Sequence, residues 1–423
     1  MQFWYKLLTY LFYPLAFIYL ILRKFNKKEH PRRYKEKLSQ IKIIRPDGFL
    51  LWCHVASIGE AMSILPLVEE LKKYEKIKKI LITSITLSSS KVLEKKYEND
   101  PKIFHQFLPL DVPIFVNNFL NHWKPDLSIF IDSEIWPNLV TAIKRKNIPL
   151  LLINARITKK TFLRWNILKN FAKHTFEKFD LCLVANKETK DHLESLGAKN
   201  IKDYGNLKFT RIKNSNERKL SPSFLKKIES RNIWCAASTH PTEETFCAKA
   251  HLELKKINKN VLTIIIPRHI NRIPKILDDL SKLNLKIKLY SSWEEIDDKT
   301  DVVLVDSYGE SIKLYSISKL VFLGKSLINS LKDDSGQNPI EPARLGCKIL
   351  HGPNVSNFID IYEYLKSLGI TKVIRTPEDL SQSIVEEFKN NKNIDGEIIE
   401  KIENYGQNTL NNVLNEIKIY INK

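Results

Sequence analysis

The chain has 423 residues, 43% of them hydrophobic, which exceeds one ordinary domain and suits two domains of roughly 150–200 residues each. A formal charge of +20 fits an anionic partner, whether membrane surface or phosphorylated substrate, and it fits compositional drift equally well, because the lysines are scattered rather than striped. The absence of any zinc-finger or RNA-binding signature argues against nucleic acid, and five cysteines without a C-x-x-C read as buried thiols of a reducing compartment rather than as metal or redox sites.

Residues Leu7 to Leu22 carry no charge and follow Phe3, Trp4 and Tyr5, aromatics suited to a membrane interface. The run falls short of the roughly 20 residues that cross a bilayer, but counted from Met1 with Lys6 snorkelling it suffices. Eight basic residues follow between Arg23 and Lys37. No basic leader or small-residue cleavage site marks a removed signal. Residues 1–24 are therefore expected to form an uncleaved anchor, spanning the bilayer or lying in its interface, with the basic flank on the cytoplasmic side.

From residue 49 the sequence alternates β-rich runs with amphipathic segments. Strands are expected at 49–56, 79–86, 104–110, 127–132, 150–155 and 181–185, and a helix over 60–75, where Ile64, Leu67, Val68 and Leu71 keep helical spacing. Residues 206–222 are polar and aperiodic, a candidate linker. The alternation resumes with strands at 232–238, 261–267, 286–290, 301–305, 319–323 and 347–351. The fold class is α/β: two consecutive Rossmann-like domains, 25–210 and 211–423, facing a cleft, with ligands at the carboxyl ends of the strands. Neither G-x-G-x-x-G nor a P-loop occurs, which disfavours dinucleotide or ATP chemistry.

The chemistry-bearing stretches sit where strands end. Trp52 to Glu60 (WCHVASIGE) runs from a strand through Ser57 and Gly59 into a helix. On position alone Glu60 is a helix-end carboxylate favoured by the macrodipole. Asp132-Ser133-Glu134-Ile135-Trp136-Pro137-Asn138 repeats the arrangement, and its two carboxylates could be taken for a metal site. Asn154-Ala155-Arg156 places a cation that could hold an anionic group or simply face solvent. Gly205-Asn206-Leu207-Lys208 lies at the domain junction. In the second half come Ala236–His240 with Glu243 and Glu244, where Thr239 has the look of a helix cap. Pro267-Arg268-His269 follows, then Asp306–Glu310, Phe322–Ser326 and Ser335–Pro342. A guanidinium at a strand's carboxyl end can grip a phosphate with paired hydrogen bonds.

Taken in order, these stretches resemble the motifs of the Kdo (3-deoxy-D-manno-octulosonic acid) transferases of lipid A biosynthesis: W-x-H-x-x-S-x-G-E, E-x-W-P-N, N-A-R, G-N-L-K, A-A-S-T-H-x-x-E-E, P-R-H and D-T-x-G-E. The resemblance covers nearly the whole chain, anchor included. Lys325 departs from F-x-G-G-S, and Ser335 and Gln337 depart from G-G-H-N-x-x-E-P. The resemblance implies a GT-B type fold and inverting, metal-independent transfer of Kdo from CMP-Kdo to the phosphorylated glycolipid lipid IVA, with no cofactor. It implies Glu60 as general base, Glu134 as a stabiliser of the transition state and Lys208 as a stabiliser of developing negative charge, with Ser57, Gly59 and Arg156 on the acceptor side. The nucleotide would be held by Arg268, His269, Gly309, Glu310, Ser311, Asn338, Pro339, Ile340 and Glu341. It also implies attachment to the inner membrane, whose anionic surface suits the basic chain, with both domains in the cytoplasm. Two rival readings stay open: another nucleotide-sugar enzyme, such as a UDP-sugar transferase or epimerase, and an inactive membrane scaffold on the same fold.

Overall fold

Runs rich in Ile, Leu and Val that carry no polar alternation need cover on both faces, and they find it at the centre of two parallel sheets. In the computed structural model, which describes residues 1–210, 220–390 and 394–422, the first sheet holds β1 (Phe49–His54), β2 (Ile77–Ser84), β3 (Ile103–Phe107), β4 (Leu127–Ile131), β5 (Leu150–Ala155), β6 (Leu181–Val184) and β7 (Ile201–Asp203). Their order is β3-β2-β1-β4-β5-β6-β7, all parallel. Leu50 and Trp52 pack on one face of β1, and Leu51 and Cys53 on the other.

The second sheet holds β8 (Asn232–Thr239), β9 (Val261–Pro267), β10 (Ile287–Leu289), β11 (Val302–Leu304), β12 (Leu320–Leu323), β13 (Lys348–His351) and β14 (Thr371–Val373), ordered β10-β11-β9-β8-β12-β13-β14 and again all parallel. Each sheet reverses its winding once, at β1 between β2 and β4 and at β8 between β9 and β12. Such reversals open a crevice beyond the strands' carboxyl ends. The five cysteines are all buried and unpaired, and burial pushes the Cys53, Cys182 and Cys235 thiols up to about 12.

Four expectations need correction. β7 and β14 were not foreseen, because each is a three-residue edge strand, half exposed and without an apolar run. The candidate linker begins too early: Leu207 and Phe209 are buried in a short turn of the first unit, a helix starts at Pro222, and 211–219 lie outside the described residues. The second domain does not extend to the C-terminus. The chain divides into Met1–Ile212 with Tyr405–Lys423, and Lys213–Asn404. The reason is the last helix, Gly396–Asn422, whose Leu410, Val413, Leu414, Ile417 and Ile421 form a helical stripe buried in the first unit's core. Finally, the N-terminal apolar run is not one rod. It forms helices Gln2–Leu11 and Tyr13–Phe25, bent by 60°, and no single helix among the described residues is long and apolar enough to cross a membrane.

Candidate active site

In the first unit, β1 leads into the helix Ile58–Leu71, capped by Ser57, whose hydroxyl accepts the Glu60 N–H at 3.3 Å. Glu60 reaches back: its carboxylate accepts the Ser57 hydroxyl at 2.8 Å and the Ala56 N–H at 2.7 Å. This is a relative of the capping box in which the carboxylate takes the N–H of the residue before the cap, so the helix-end reading of Glu60 holds as far as it goes. The surroundings add to it. Burial first, and then the negative charges of Asp132 and Glu134, push the Glu60 pKa up to about 7 against the pull of the Ala56 N–H and Ser57 hydroxyl. A carboxyl group so placed can take up and release a proton near neutral pH. Gly59 is not there for its backbone: it lies within the helix, its φ is not positive, and an added Cβ would meet nothing closer than the Ser57 hydroxyl oxygen at 3.9 Å.

β4, beside β1 at the reversal, supplies the other carboxylates. Asp132 adopts a left-handed φ of 61° just after the strand. Glu134 accepts the Trp136 indole N–H at 3.0 Å and stands 3.5 Å from Nε2 of the fully buried His54. The other ring nitrogen of His54 lies 2.9 Å from the Thr83 hydroxyl, which also accepts the Trp52 indole N–H at 2.9 Å. Trp52 and His54 thus share a buried partner on β2, and His54 presents its remaining nitrogen to Glu134. Lys208 brings its ammonium to 3.9 Å from Asp132, and Arg156 donates its backbone N–H to the Asp132 carbonyl at 3.3 Å. Ser57, Glu60, Glu134, Arg156 and Lys208 therefore gather along one edge of the sheet. Among the described residues no group of three or more His, Cys, Asp or Glu is arranged to hold a metal ion.

In the second unit, Glu243 and Glu244 open the helix Glu243–Ile257 and are both buried. The Glu243 carboxylate accepts four backbone N–H groups, from His240 at 2.9 Å, Lys325 at 2.7 Å, Ser326 at 2.9 Å and Leu327 at 3.1 Å. The amides of the turn after β12 are thereby used within the protein. Glu244 pairs with Arg272 at 2.8 Å and accepts the Thr239 hydroxyl at 3.0 Å, so Thr239 is not a helix cap. Glu243 is thus a clamp fastening the end of β8 to the turn after β12, while Glu244 ties Thr239 to Arg272 after β9.

The nucleotide-binding candidates lie on the same edge. Arg268 follows β9, is exposed, and its guanidinium makes no hydrogen bond or ion pair with any described residue. The His269 ring meets His240 edge-on at 5.7 Å, and burial, with the charges of Lys325 and His269, holds His240 below the usual imidazole range. Gly309 takes φ 87° with open space beside it, Glu310 is bonded by Lys313 and the Tyr290 hydroxyl, and Ser311 begins a short helix. Asn338 accepts the Ile340 N–H at 3.1 Å, while Ile340 and Pro339 are buried and Glu341 is exposed. The Ile340 side chain and N–H are thereby engaged within the protein.

Residues 30–211 match the family described as 3-deoxy-D-manno-octulosonic-acid transferase. The 3-deoxy-D-manno-octulosonic acid transferase of Rickettsia bellii is 33% identical over 417 residues, covering 98% of this chain and 96% of that one. This chain belongs to the Kdo transferase family. The protein of the same description from Haemophilus influenzae is 28% identical over 397 residues, 90% of each chain. Among solved structures, UDP-GlcNAc 2-epimerase from Neisseria meningitidis superposes with a TM-score of 0.58 at 15% identity, over 88% of this chain and all of that one, a likeness of fold.

One Kdo transferase motif departure is resolved by the backbone. Lys325, where the family pattern has glycine, keeps a left-handed φ of 56°; its carbonyl accepts the Gly336 N–H at 2.7 Å and its ammonium lies 3.0 Å from Asp334. A side chain in that region is strained. Lys325→Gly is therefore expected to raise the unfolding free energy by about 0.5–1 kcal/mol, the relief of strain exceeding the lost ion pair and the added freedom of the unfolded chain. An unchanged or lower denaturation midpoint would contradict the strain.

Sequence reasoning also missed residues that hold the Kdo transferase motifs in place. Thr83 carries no motif, and His54 was passed over, although a histidine inside a wholly apolar strand signals a buried polar partner. Asp111 was overlooked as well: it is buried, burial pushes it to about 6, and it accepts the Asn138 and Leu139 N–H groups at 3.1 and 2.9 Å and the Tyr5 hydroxyl at 2.9 Å.

Proposed function

We infer that this chain transfers Kdo in lipopolysaccharide biosynthesis, using CMP-Kdo as donor and lipid IVA as acceptor. The observation that carries the reading is Glu60, a carboxylate held at the carboxyl end of β1 with its pKa raised to about 7, in a chain of the Kdo transferase family. In the proposed step the acceptor hydroxyl gives its proton to Glu60 as its oxygen bonds to the anomeric carbon. The bond from that carbon to the CMP phosphate oxygen breaks on the opposite face, CMP leaves with the electron pair, and the configuration inverts. Glu134, oriented by Trp136 and facing His54, and Lys208, beside Asp132, are assigned to charge developing at the reacting centre. Ser57, Arg156 and the clearance left by Gly59 are assigned to the acceptor.

On the donor side, Arg268 is assigned to the CMP phosphate, with His269 and the Gly309–Ser311 turn beside it and Asn338 and Glu341 on the nucleoside. We assign no cofactor or metal, because CMP departs as a phosphate monoester, whose charge a few cations can match without the divalent ion that a pyrophosphate commonly calls for. The apolar N-terminal helices, followed by a basic stretch, support attachment to the cytoplasmic face of the inner membrane.

Calorimetry with CMP and UDP tests the donor assignment. The parent is expected to bind CMP in preference to UDP, and Arg268→Ala to weaken CMP by about 1.5–3 kcal/mol, the worth of a charged hydrogen bond. Preference for UDP would favour the rival nucleotide-sugar enzyme, and unchanged CMP affinity in the variant would remove Arg268 from the site.

A further inference from the structure

The two N-terminal helices are too short to cross a bilayer separately: 10 and 13 residues give about 15 and 20 Å at 1.5 Å per residue, against a hydrocarbon core of roughly 30 Å. They are also fastened to the first unit along their length. Tyr5 donates to Asp111 at 2.9 Å and Thr9 accepts the Asn138 amide at 2.9 Å. Ala16 and Leu20 are fully buried against Leu38, Val112 and Phe115. Their outer face stays apolar and open, with Phe3, Leu8, Leu11, Ile18 and Phe25 each more than half exposed.

A third helix continues that face. Lys159–Ile167 buries none of its residues. Phe162 stacks on His192 and Trp165 packs on Phe176, which fixes the inner side. Leu163 and Ile167, one turn apart on the other side, are 52% and 80% exposed. Exposed Lys159, Lys160, Arg164 and Lys169 surround them. The helix follows β5 and Arg156, on the edge that carries Glu60 and Glu134, and the next segment places the Phe171 ring 5.5 Å from Tyr5 of the first helix.

We propose that helix Lys159–Ile167 is a second membrane-contacting element, seating the first unit on an anionic bilayer together with an N-terminal helix pair that lies in the plane of the interface. Apolar side chains ringed by lysine and arginine, on the outer face of a helix whose inner side alone is packed, match the requirements for insertion between acidic headgroups. A second copy of the chain would not call for that basic ring. The seating would hold the edge bearing Glu60 against the surface in which a lipid acceptor resides. The proposal rests on the membrane attachment proposed above.

Flotation of the full-length protein with phosphatidylethanolamine–phosphatidylglycerol vesicles, and with phosphatidylcholine vesicles, tests it. The parent is expected to bind the anionic vesicles more tightly. The double variant Leu163→Gln/Ile167→Gln is expected to lose about tenfold or more of that affinity while keeping the parent's circular dichroism and melting temperature, which certifies the fold of the first unit. K159Q/K160Q/R164Q is expected to erase the preference for anionic lipid. Parent-like flotation of L163Q/I167Q would overturn the proposal, as would a parent dimer that this variant dissolves without loss of vesicle binding. A parent that binds neither vesicle would instead defeat the membrane attachment itself.

Discussion

Glu60→Gln is expected to lower the rate of Kdo transfer about 10²–10⁴-fold, the usual cost of losing a general base. Glutamine keeps the shape and can keep the capping contacts, its oxygen accepting the Ala56 N–H and its amide donating to Ser57, but it cannot take a proton. CMP affinity is expected to stay at the parent value, since the nucleotide-binding candidates all belong to the second unit. The pH profile gives an independent sign. The competent form of Glu60 is the ionised one, so the parent rate should fall about tenfold per unit as the pH drops below about 7 and level off above it. That limb should vanish in the variant. Folding has the opposite linkage: a carboxyl group whose pKa is raised on folding favours the folded state below its unfolded value near 4.5 and loses that contribution as the pH rises through about 7. Removing the charge should therefore leave stability at pH 8 equal or higher. A lower melting temperature with near-parent turnover is the signature of a helix cap alone, and would remove Glu60 from the chemistry.

Glu243→Gln is expected to cost the second unit about 3–5 kcal/mol, since one carboxylate oxygen is replaced by a donor facing backbone N–H groups, and each buried group left unpaired costs about 1–3 kcal/mol. The four amides that converge on this carboxylate come from two separate strand ends, so the damage joins β8 to β12 rather than staying local. Stability of typical domains is only about 5–15 kcal/mol, so the variant should unfold at much lower denaturant, and CMP binding should weaken with it. Fluorescence of the buried Trp234 would follow the transition. A parent-like midpoint would mean that the amides find other partners and that the clamp is incidental.

What the sequence disclosed follows from what a local pattern can carry. Central parallel strands are continuous apolar runs, so twelve of the fourteen were foreseen within a few residues, and β7 and β14, short edge strands, were not. The site candidates were legible only through their resemblance to the Kdo transferase motifs, since position alone gave Glu60 as a helix-end carboxylate. Their supports were not. Thr83 and Asp111 act across strands or helices by hydrogen bonds that leave no periodic trace. The role of Glu243 was equally hidden, because a buried carboxylate satisfied by amides 82 to 84 residues away looks in sequence like any helix-end acid. The last helix shows the limit from the other side: its apolar stripe went unread, and nothing in a stripe says which sheet it will cover.

The most direct test is transfer itself. Purified full-length protein, given radiolabelled CMP-Kdo and lipid IVA at pH 8 in the presence of a chelator, is expected to move label into the lipid, and Glu60→Gln prepared alongside it to leave the lipid unlabelled on the same timescale. No lipid labelling by the parent with or without added magnesium, from a preparation that is folded and binds CMP, would contradict the account.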